Sequence, residues 1–463
     1  MKILLLSPPY LSHYMRNARC DFVSLSKTQW YPIWLGYLGA FLEGRGYEVN
    51  LIDAPSYDYN HAKTEKIVLN YCPDFIVVYS GRLSEDNDID FAERIVEKLG
   101  VEAAFVGPYA SINPQGLLEK TKKIRYAVRG EFEYPVLELI EGKRLAEIQS
   151  LLYKEGEEIR INEERPILSG KELDAIPFVT AFFRKHLDLR KYKAPSEYYP
   201  FIDIMTGRGC EWGICTYCLW VYTFIPGRSY NTRSIENVIE EFRYIKKELP
   251  HVRSVMIQDD TFTDERAFEF SKGMLEIGIR LPWSCYARGN MKYATLKLMK
   301  EAGCRNLHVG YESASDMVLK NIRKGLTKEL MTEFTRNAHK AGLRIHADFA
   351  FGFDGETIEG MHETIEWAKE LNPDTAQFQL MIPFPGTPYY DRLKGNGWLN
   401  ERGEPEFPGL SNEVIRKIAK KAYREFYLSL RHLKKVLRHP YENFFGRLDT
   451  IRHAVPAMFW KKW

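Results

Sequence analysis

Five short apolar runs punctuate the first 140 residues: 2–7 (KILLLS), 47–52 (YEVNLI), 74–80 (DFIVVYS), 102–106 (EAAFV) and 124–129 (IRYAVR). Between them lie stretches of helical periodicity, such as 31–45 and 88–99. Near-continuous apolar runs fit strands buried on both faces, and their alternation with helices predicts a parallel, doubly wound sheet over residues 1–145. Such sheets bind ligands at the carboxyl ends of their strands. Those ends read Ser7-Pro8-Pro9-Tyr10, Asp53-Ala54-Pro55, Ser80-Gly81-Arg82, Gly107-Pro108-Tyr109 and Arg129-Gly130-Glu131. Small and turn-forming residues there let backbone approach a ligand.

Residues 146–199 lose the alternation and read as a connector. Lys154-Glu155-Gly156-Glu157 predicts a hairpin turn, and Leu173-Asp174-Ala175-Ile176-Pro177 an irregular crossing. Alternation returns over 200–390. Strands are expected at 201–206, 253–258, 281–286, 306–311, 345–351 and 375–381, with helices at 234–247, 264–277, 293–302, 328–341 and 357–370. Ser234 reads as an N-cap and Gly342 as the residue after a helix end. Six strand–helix units predict a partial α/β barrel with its chemistry at the carboxyl ends of the strands. Residues 391–463 read as a helical, basic, aromatic-rich region.

Composition narrows the class. At 45% hydrophobic and 27% charged, the 463 residues fold around a sizeable core. A net charge of +3 excludes a wholesale polyanion binder, but the charge is uneven. Residues 431–463 carry Arg431, Lys434, Lys435, Arg438, Arg447, Arg452, Lys461 and Lys462 against Glu442 and Asp449, a net +6 that leaves −3 on the first 430. No run of 18 apolar residues is present, and Met1-Lys2 leads straight into an apolar strand, so a cytoplasmic enzyme is expected.

Three of seven cysteines fall within nine residues, in Thr206-Gly207-Arg208-Gly209-Cys210-Glu211-Trp212-Gly213-Ile214-Cys215-Thr216-Tyr217-Cys218. This is no disulfide framework. Structural zinc wants four ligands, whereas three thiolates suit a [4Fe–4S] cluster with one iron open to a non-protein ligand; zinc stands as the alternative. Cys20, Cys72, Cys285 and Cys304 read as packing residues, with Cys285 and Cys304 also candidate hydrogen-atom donors to a product radical.

The chain resembles the radical S-adenosylmethionine (SAM) enzymes that carry an N-terminal cobalamin-binding-type Rossmann domain. The resemblance runs through the opening Lys2-Ile3-Leu4-Leu5-Leu6-Ser7-Pro8-Pro9, Gly107-Pro108, Gly130-Glu131-Phe132-Glu133, the cysteine triplet and Gln258-Asp259-Asp260. It continues through Gly310-Tyr311-Glu312-Ser313, Gly352-Phe353-Asp354-Gly355-Glu356-Thr357 and Pro383-Phe384-Pro385-Gly386-Thr387. The family's spacing is Cys-x3-Cys-x2-Cys; here four residues separate Cys210 from Cys215. The resemblance implies a [4Fe–4S] cluster on Cys210, Cys215 and Cys218, reductive cleavage of SAM to a 5′-deoxyadenosyl radical, and hydrogen abstraction from an unactivated carbon. It implies SAM contacts at Tyr217 (adenine), Glu312 (ribose or amino group), Arg288 (carboxylate) and the Gly352 and Gly355 turn. Cobalamin contacts are implied at Ser80, Gly107, Pro108, Gly130 and Glu131. The cobalt-ligating Asp-x-His-x-x-Gly is absent, and neither His13 nor His61 matches it, so cobalamin is expected without a protein ligand on cobalt.

Cys218-Leu219-Trp220 and Gly227-Arg228-Ser229-Tyr230-Asn231-Thr232-Arg233-Ser234 look closest to hopanoid cyclitol-ether and archaeal calditol synthases. That resemblance implies cyclisation of a sugar-derived lipid head group. The alternatives are a cobalamin-dependent radical SAM methyltransferase and, third, a non-enzymatic corrinoid-binding or electron-transfer protein. Phe444, Phe445, Phe459, Trp460 and Trp463, interleaved with cations, fit contact with a membrane surface or, equally, a basic helix docked on the barrel with its apolar face buried. A lipid or lipid-linked sugar, a ferredoxin or flavodoxin as electron donor, and no nucleic acid complete the expected partners.

Overall fold

The computed structural model describes residues 1–17, 20–23 and 28–438. Seven strands form the first sheet: β1 (Lys2–Ser7), β2 (Glu48–Asp53), β3 (Phe75–Tyr79), β4 (Glu102–Val106), β5 (Tyr126–Val128), β6 (Leu151–Glu155) and β7 (Glu158–Ile161). Their spatial order is β2-β1-β3-β4-β5-β6-β7. The first five run parallel, and β6 and β7 add antiparallel to the β5 side. β1 explains the apolar run. Ile3 and Leu5 belong to one hydrophobic cluster, Leu4 and Leu6 to another, and all four are fully buried. A strand covered on both faces has no polar alternation to keep. The hairpin β6–β7 forms where the turn was expected, but the segment read as a connector thereby completes the first sheet.

The second sheet comprises β8 (Phe201–Ile204), β9 (Ser254–Phe262), β10 (Trp283–Ala287), β11 (Cys304–Glu312), β12 (Arg344–Phe351) and β13 (Thr375–Leu380). All six are parallel and in sequence order, with β8 and β13 as edges, so the barrel is partial. Intervening helices start on side-chain caps: Ser234, Thr263, Thr327 and Thr357 each accept a backbone N–H. The outer face packs on those helices, as where Tyr311 and Phe349 meet Trp367. The inner face carries Tyr286, His308 and His346 side by side in register, with Trp30 of the N-terminal half against His308.

Helix α1 (Ile33–Glu43) joins the halves. Tyr37 Oη donates to the Met205 carbonyl at 2.9 Å and accepts its N–H at 2.8 Å; Tyr31 Oη donates to the Phe201 carbonyl at 2.7 Å. One hydrophobic cluster runs from β1 through α1 into the barrel. Helix α2 (Asn412–Tyr427) covers the edge strand β13, where Tyr427 Oη accepts the Ala376 N–H and donates to its carbonyl. Helix α3 (Leu430–Arg438) follows. The aromatic, basic tail that carried the membrane expectation lies outside the described residues.

Candidate active site

The cysteine loop leaves β8 at the carboxyl end of the barrel. A two-stranded ladder, Gly207–Gly209 with Tyr230–Thr232, fixes its base. The next strand staples it. Asp259 accepts from Thr206 N–H and Oγ1, both at 2.6 Å, and Asp260 accepts the Gly209 N–H at 2.9 Å. The extra residue in the spacing has a structural home. Gly213 sits at φ 53°, where a Cβ would lie 2.3 Å from the Gly227 carbonyl oxygen. Trp212 Nε1 donates to the Arg323 carbonyl at 2.7 Å, and its ring covers Gly325 so closely that a Cβ there would meet it at 2.1 Å. The longer loop is thus turned by glycine and pinned by tryptophan.

All three thiols of the loop are half-buried. Burial pushes Cys215 up, against the pull of Lys324 and Arg288. Cys218 is pushed up to about 12 by burial and then by Cys215. Thiolates so placed need a cationic partner to form. Among the described residues no three His, Cys, Asp or Glu side chains converge as ligands of a single ion. Each cysteine of a [4Fe–4S] cluster binds a different iron, so its sulfurs lie farther apart than around one zinc with bonds of about 2.3 Å. Three thiols on one loop suit the cluster, which leaves one iron open to a non-protein ligand, better than structural zinc, which takes four protein ligands.

Beside the loop, Tyr217 Oη donates to Glu312 Oε1 at 2.8 Å, and Lys324 Nζ reaches the same oxygen at 2.8 Å. Tyr217 also lies edge-on to Phe353 at 5.2 Å. Tyr217, Glu312 and the Gly352–Gly355 turn are therefore brought together. Glu312 holds a left-handed φ of 64° at the end of β11, and Arg323 one of 52°. Such backbone is costly for non-glycine residues and persists where surroundings enforce it. Gly310 makes room for the folded-back carboxylate: a Cβ there would stand 2.3 Å from Glu312 Oε1. Arg288 reaches the same rim, donating to the Lys324 carbonyl at 2.7 Å with its guanidinium 4.9 Å above the Trp212 ring.

The glycine turn departs from expectation. The Gly352 N–H is committed to Glu356 at 2.7 Å and its carbonyl accepts from Tyr389 Oη, so these groups do not stand open to adenine. Gly352 and Gly355 are needed for φ of 97° and 84°, and a Gly355 Cβ would stand 2.7 Å from Asn321 Nδ2. Burial pushes the Glu356 carboxyl from an ordinary 4.5 up to about 7, against hydrogen bonds from the Gly352 and Phe353 N–H groups. The folded protein therefore holds this proton more tightly than the unfolded chain, and the native state loses stability as pH rises from about 4.5 to about 7. Glu356→Gln keeps an acceptor without the charge. Its melting temperature relative to the parent should rise between about pH 5 and about pH 8. A difference that is flat with pH would show that Glu356 does not titrate there.

The remaining expected residues sort differently. Cys285 alternates with Tyr286 on β10 and so faces the outer helices, buried beside Trp283. Cys304 opens β11 at the amino end of the barrel, also buried. Neither reaches a radical at the carboxyl ends. Cys72 is exposed at a helix end rather than packed. Glu131 is no open cofactor contact. It accepts Arg208 Nη1 at 2.6 Å and the Leu168 N–H at 2.6 Å, while Glu133 takes Arg208 Nη2 at 2.6 Å. Arg208, 2% exposed, lies 4.5 Å over the Trp34 ring. Ser80 Oγ donates to the Val106 carbonyl, and the Gly130 N–H to Ser111 Oγ. Gly107 and Pro108 open a short buried helix, Pro108–Ile112.

The open space lies elsewhere. A small cleft is lined by Ser7, Arg16, Gln29, Trp30, Tyr31, Asp53 and Tyr79, among others. It sits at the ends of β1, β2 and β3, where the strand order reverses and doubly wound sheets take ligands. Gln29 is 3% exposed, and its Oε1 has no partner among the described residues. Trp30 lines the cleft and also meets His308 on the barrel's inner face. The signal for this site was the Asp53 and Ser7 strand ends; Gln29 and Trp30, in a connecting segment, carried none.

A three-thiol loop on a partial α/β barrel, opposed by a doubly wound sheet with a cleft at its switch point, defines a cluster-dependent radical enzyme. Residues 204–368 match the Radical SAM superfamily model. The chain is 31% identical over 447 residues to an uncharacterized methyltransferase of Pyrococcus horikoshii, covering 92% of this chain and 93% of that one. It belongs to the radical SAM superfamily and is a radical SAM enzyme, with a [4Fe–4S] cluster and SAM as its cofactors. A cytidylyl-2-hydroxyethylphosphonate methyltransferase of Streptomyces wedmorensis is 25% identical, covering 92% of this chain and 90% of its own. The fold is also that of a radical SAM methyltransferase from Kitasatospora setae solved with cobalamin and a [4Fe–4S] cluster. That match has a TM-score of 0.65 and 17% identity, and it covers 85% of this chain and 75% of that one.

Proposed function

We propose that this chain is a cobalamin-dependent radical SAM methyltransferase that methylates a carbon of an acceptor held against the inner face of the barrel. The observation that carries this reading is the cleft at the first sheet's switch point, which shares Trp30 with that inner face. The two relatives matched over nine-tenths of both chains carry methyltransferase names, which favours methyl transfer over head-group cyclisation.

When bound, the cluster supplies the electron that cleaves SAM, and cobalamin supplies a methyl carrier. The protein's part is placement. Cys210, Cys215 and Cys218 would hold the cluster; Glu312, Lys324, Tyr217 and Arg288 offer charge and hydrogen bonds beside it. Ser7, Gln29, Asp53 and Tyr79 would hold part of the corrinoid. The orphaned Gln29 side-chain carbonyl oxygen, in the lining of the cleft, supplies an acceptor. His13 and His61 sit beside Asp58 and Asn87 and are not among the residues lining the cleft.

The inner face is polar. His346 pairs with Asp348 at 3.3 Å and with Thr375 Oγ1 at 2.7 Å, next to His308 and Tyr286. Such a row orients a hydrogen-bonding acceptor.

Anaerobic incubation of the reconstituted enzyme with SAM and reductant, with and without cobalamin, tests the assignment. S-adenosylhomocysteine should form only in the cobalamin-loaded sample. Formation of 5′-deoxyadenosine without S-adenosylhomocysteine at every cobalamin loading would return the reading to cyclisation or isomerisation.

A further inference from the structure

Helix α3 is amphipathic the wrong way round for a helix packed on a protein. Its described inward residues, His432 and Lys435, are polar. His432 is buried against Phe426 and Tyr427, with ring centroids at 4.8 and 5.1 Å. Lys435 Nζ donates to the Asn372 carbonyl at 2.8 Å and pairs with Asp374 at 3.3 Å. Its outward residues are leucines: Leu430 is 76%, Leu433 41% and Leu437 77% exposed. At about 100° per residue these three fall within an arc of about 60°. Arg431 and Lys434, both exposed, occupy the adjoining arc. Leu428, just before the helix, adds a further exposed apolar side chain.

We infer that the leucine face of α3 is a docking surface for an anionic lipid bilayer. Exposed leucines bordered by cations match an acyl–headgroup boundary, where apolar groups enter and lysine and arginine meet lipid phosphate. Charge selects this occupant over two others. A second copy packed through the same face would bring Arg431 and Lys434 of both copies together, and like charges at an interface repel. The chain's own residues 439–463 carry Arg447, Arg452, Lys461 and Lys462 against Glu442 and Asp449, a net +2, so they bring Arg431 and Lys434 no surplus of counter-charge, whereas lipid phosphate does. The contact is interfacial, since no helix among the described residues is long and apolar enough to cross a membrane. It is independent of the acceptor's identity and of the methyl-transfer assignment.

Co-sedimentation of the full chain with vesicles tests this directly. One set is phosphatidylcholine alone, the other equimolar phosphatidylcholine and phosphatidylglycerol. The parent should pellet with the anionic vesicles only, and less so as salt rises. The variant Leu430→Gln/Leu433→Gln/Leu437→Gln should bind about tenfold more weakly with an unchanged melting temperature, because these side chains point away from the fold. Arg431→Gln/Lys434→Gln should lose the preference for anionic lipid. Equal pelleting of parent and triple-leucine variant would overturn the inference. So would sedimentation analysis showing a parent dimer that the variant converts to monomer, which assigns the face to a second copy. Vesicle binding that appears only after removal of residues 439–463 would assign it to the chain's own end.

Discussion

Cys215→Ala should abolish the radical chemistry while leaving a folded protein. The thiol is half-buried on a loop whose base is held by Asp259 and Asp260 and not by the cysteine itself. Losing one of three cluster thiolates removes an iron ligand that no neighbouring side chain replaces. The charged groups with the largest pull on this thiol, Lys324 and Arg288, are cations. Anaerobic reconstitution of the parent should give about four irons per chain, and the variant well under half of that. Formation of 5′-deoxyadenosine from SAM should fall below detection, a loss of at least about 10^3. Melting temperature of the unreconstituted proteins should agree within a few degrees. Full iron content in the variant would move the cluster to other residues, and zinc in place of iron in the parent would remove the cluster assignment.

Arg208→Met should strongly destabilise the fold, because it empties the centre of a buried ion triad. Arg208 stands two residues before the first cluster cysteine and pairs with Glu131 and Glu133 at 2.6 Å each, all three side chains being nearly sealed from solvent. The triad ties the cysteine loop to the turn after β5, so it fixes how the two halves meet. Removing the guanidinium leaves two carboxylates buried together, and breaking a buried pair in this way costs about 3–5 kcal/mol. The deficit should shrink as pH is lowered, because protonation neutralises the orphaned carboxylates. Arg208→Met combined with Glu131→Gln and Glu133→Gln should recover most of the loss, since no net charge then remains buried. Iron content on reconstitution should follow the same order. If the single variant melts like the parent, the triad is not what holds the loop; if the triple variant is no better than the single, packing over Trp34 matters more than charge.

Much of the fold was written in local pattern. The continuous apolar runs of β1 and β3 marked strands covered on both faces, and the spacing over 200–390 placed all six barrel strands within a few residues. Ser234 capped its helix and Gly342 followed one, because caps depend on the chemistry of a single residue. The hairpin turn was equally legible, but its membership of the first sheet was not: which edge a hairpin joins depends on what lies beside it.

The site divides the same way. Its thiols were legible because three cysteines on a glycine-rich loop carry their chemistry in the sequence. Their supports were not. Arg208 meets Glu131 and Glu133 across more than 70 residues, and Trp212 meets Arg323 and Gly325 across more than 110. No periodicity encodes such a pairing. Glu131 read as a ligand contact because strand ends bind ligands; the tertiary structure spent it on Arg208, since a guanidinium buried under Trp34 needs a counter-charge. Cys285 read as a packing residue and, because it sits in a barrel strand, also as a candidate hydrogen donor; strand alternation turned it outward into packing. The sequence by itself determined the parallel strands of both sheets, the cluster loop and the class of enzyme, all properties of short segments. Only the tertiary structure decided where the open cleft lies, which charges are buried together and which way the leucines of α3 face, because each depends on residues far apart in the chain competing for the same space.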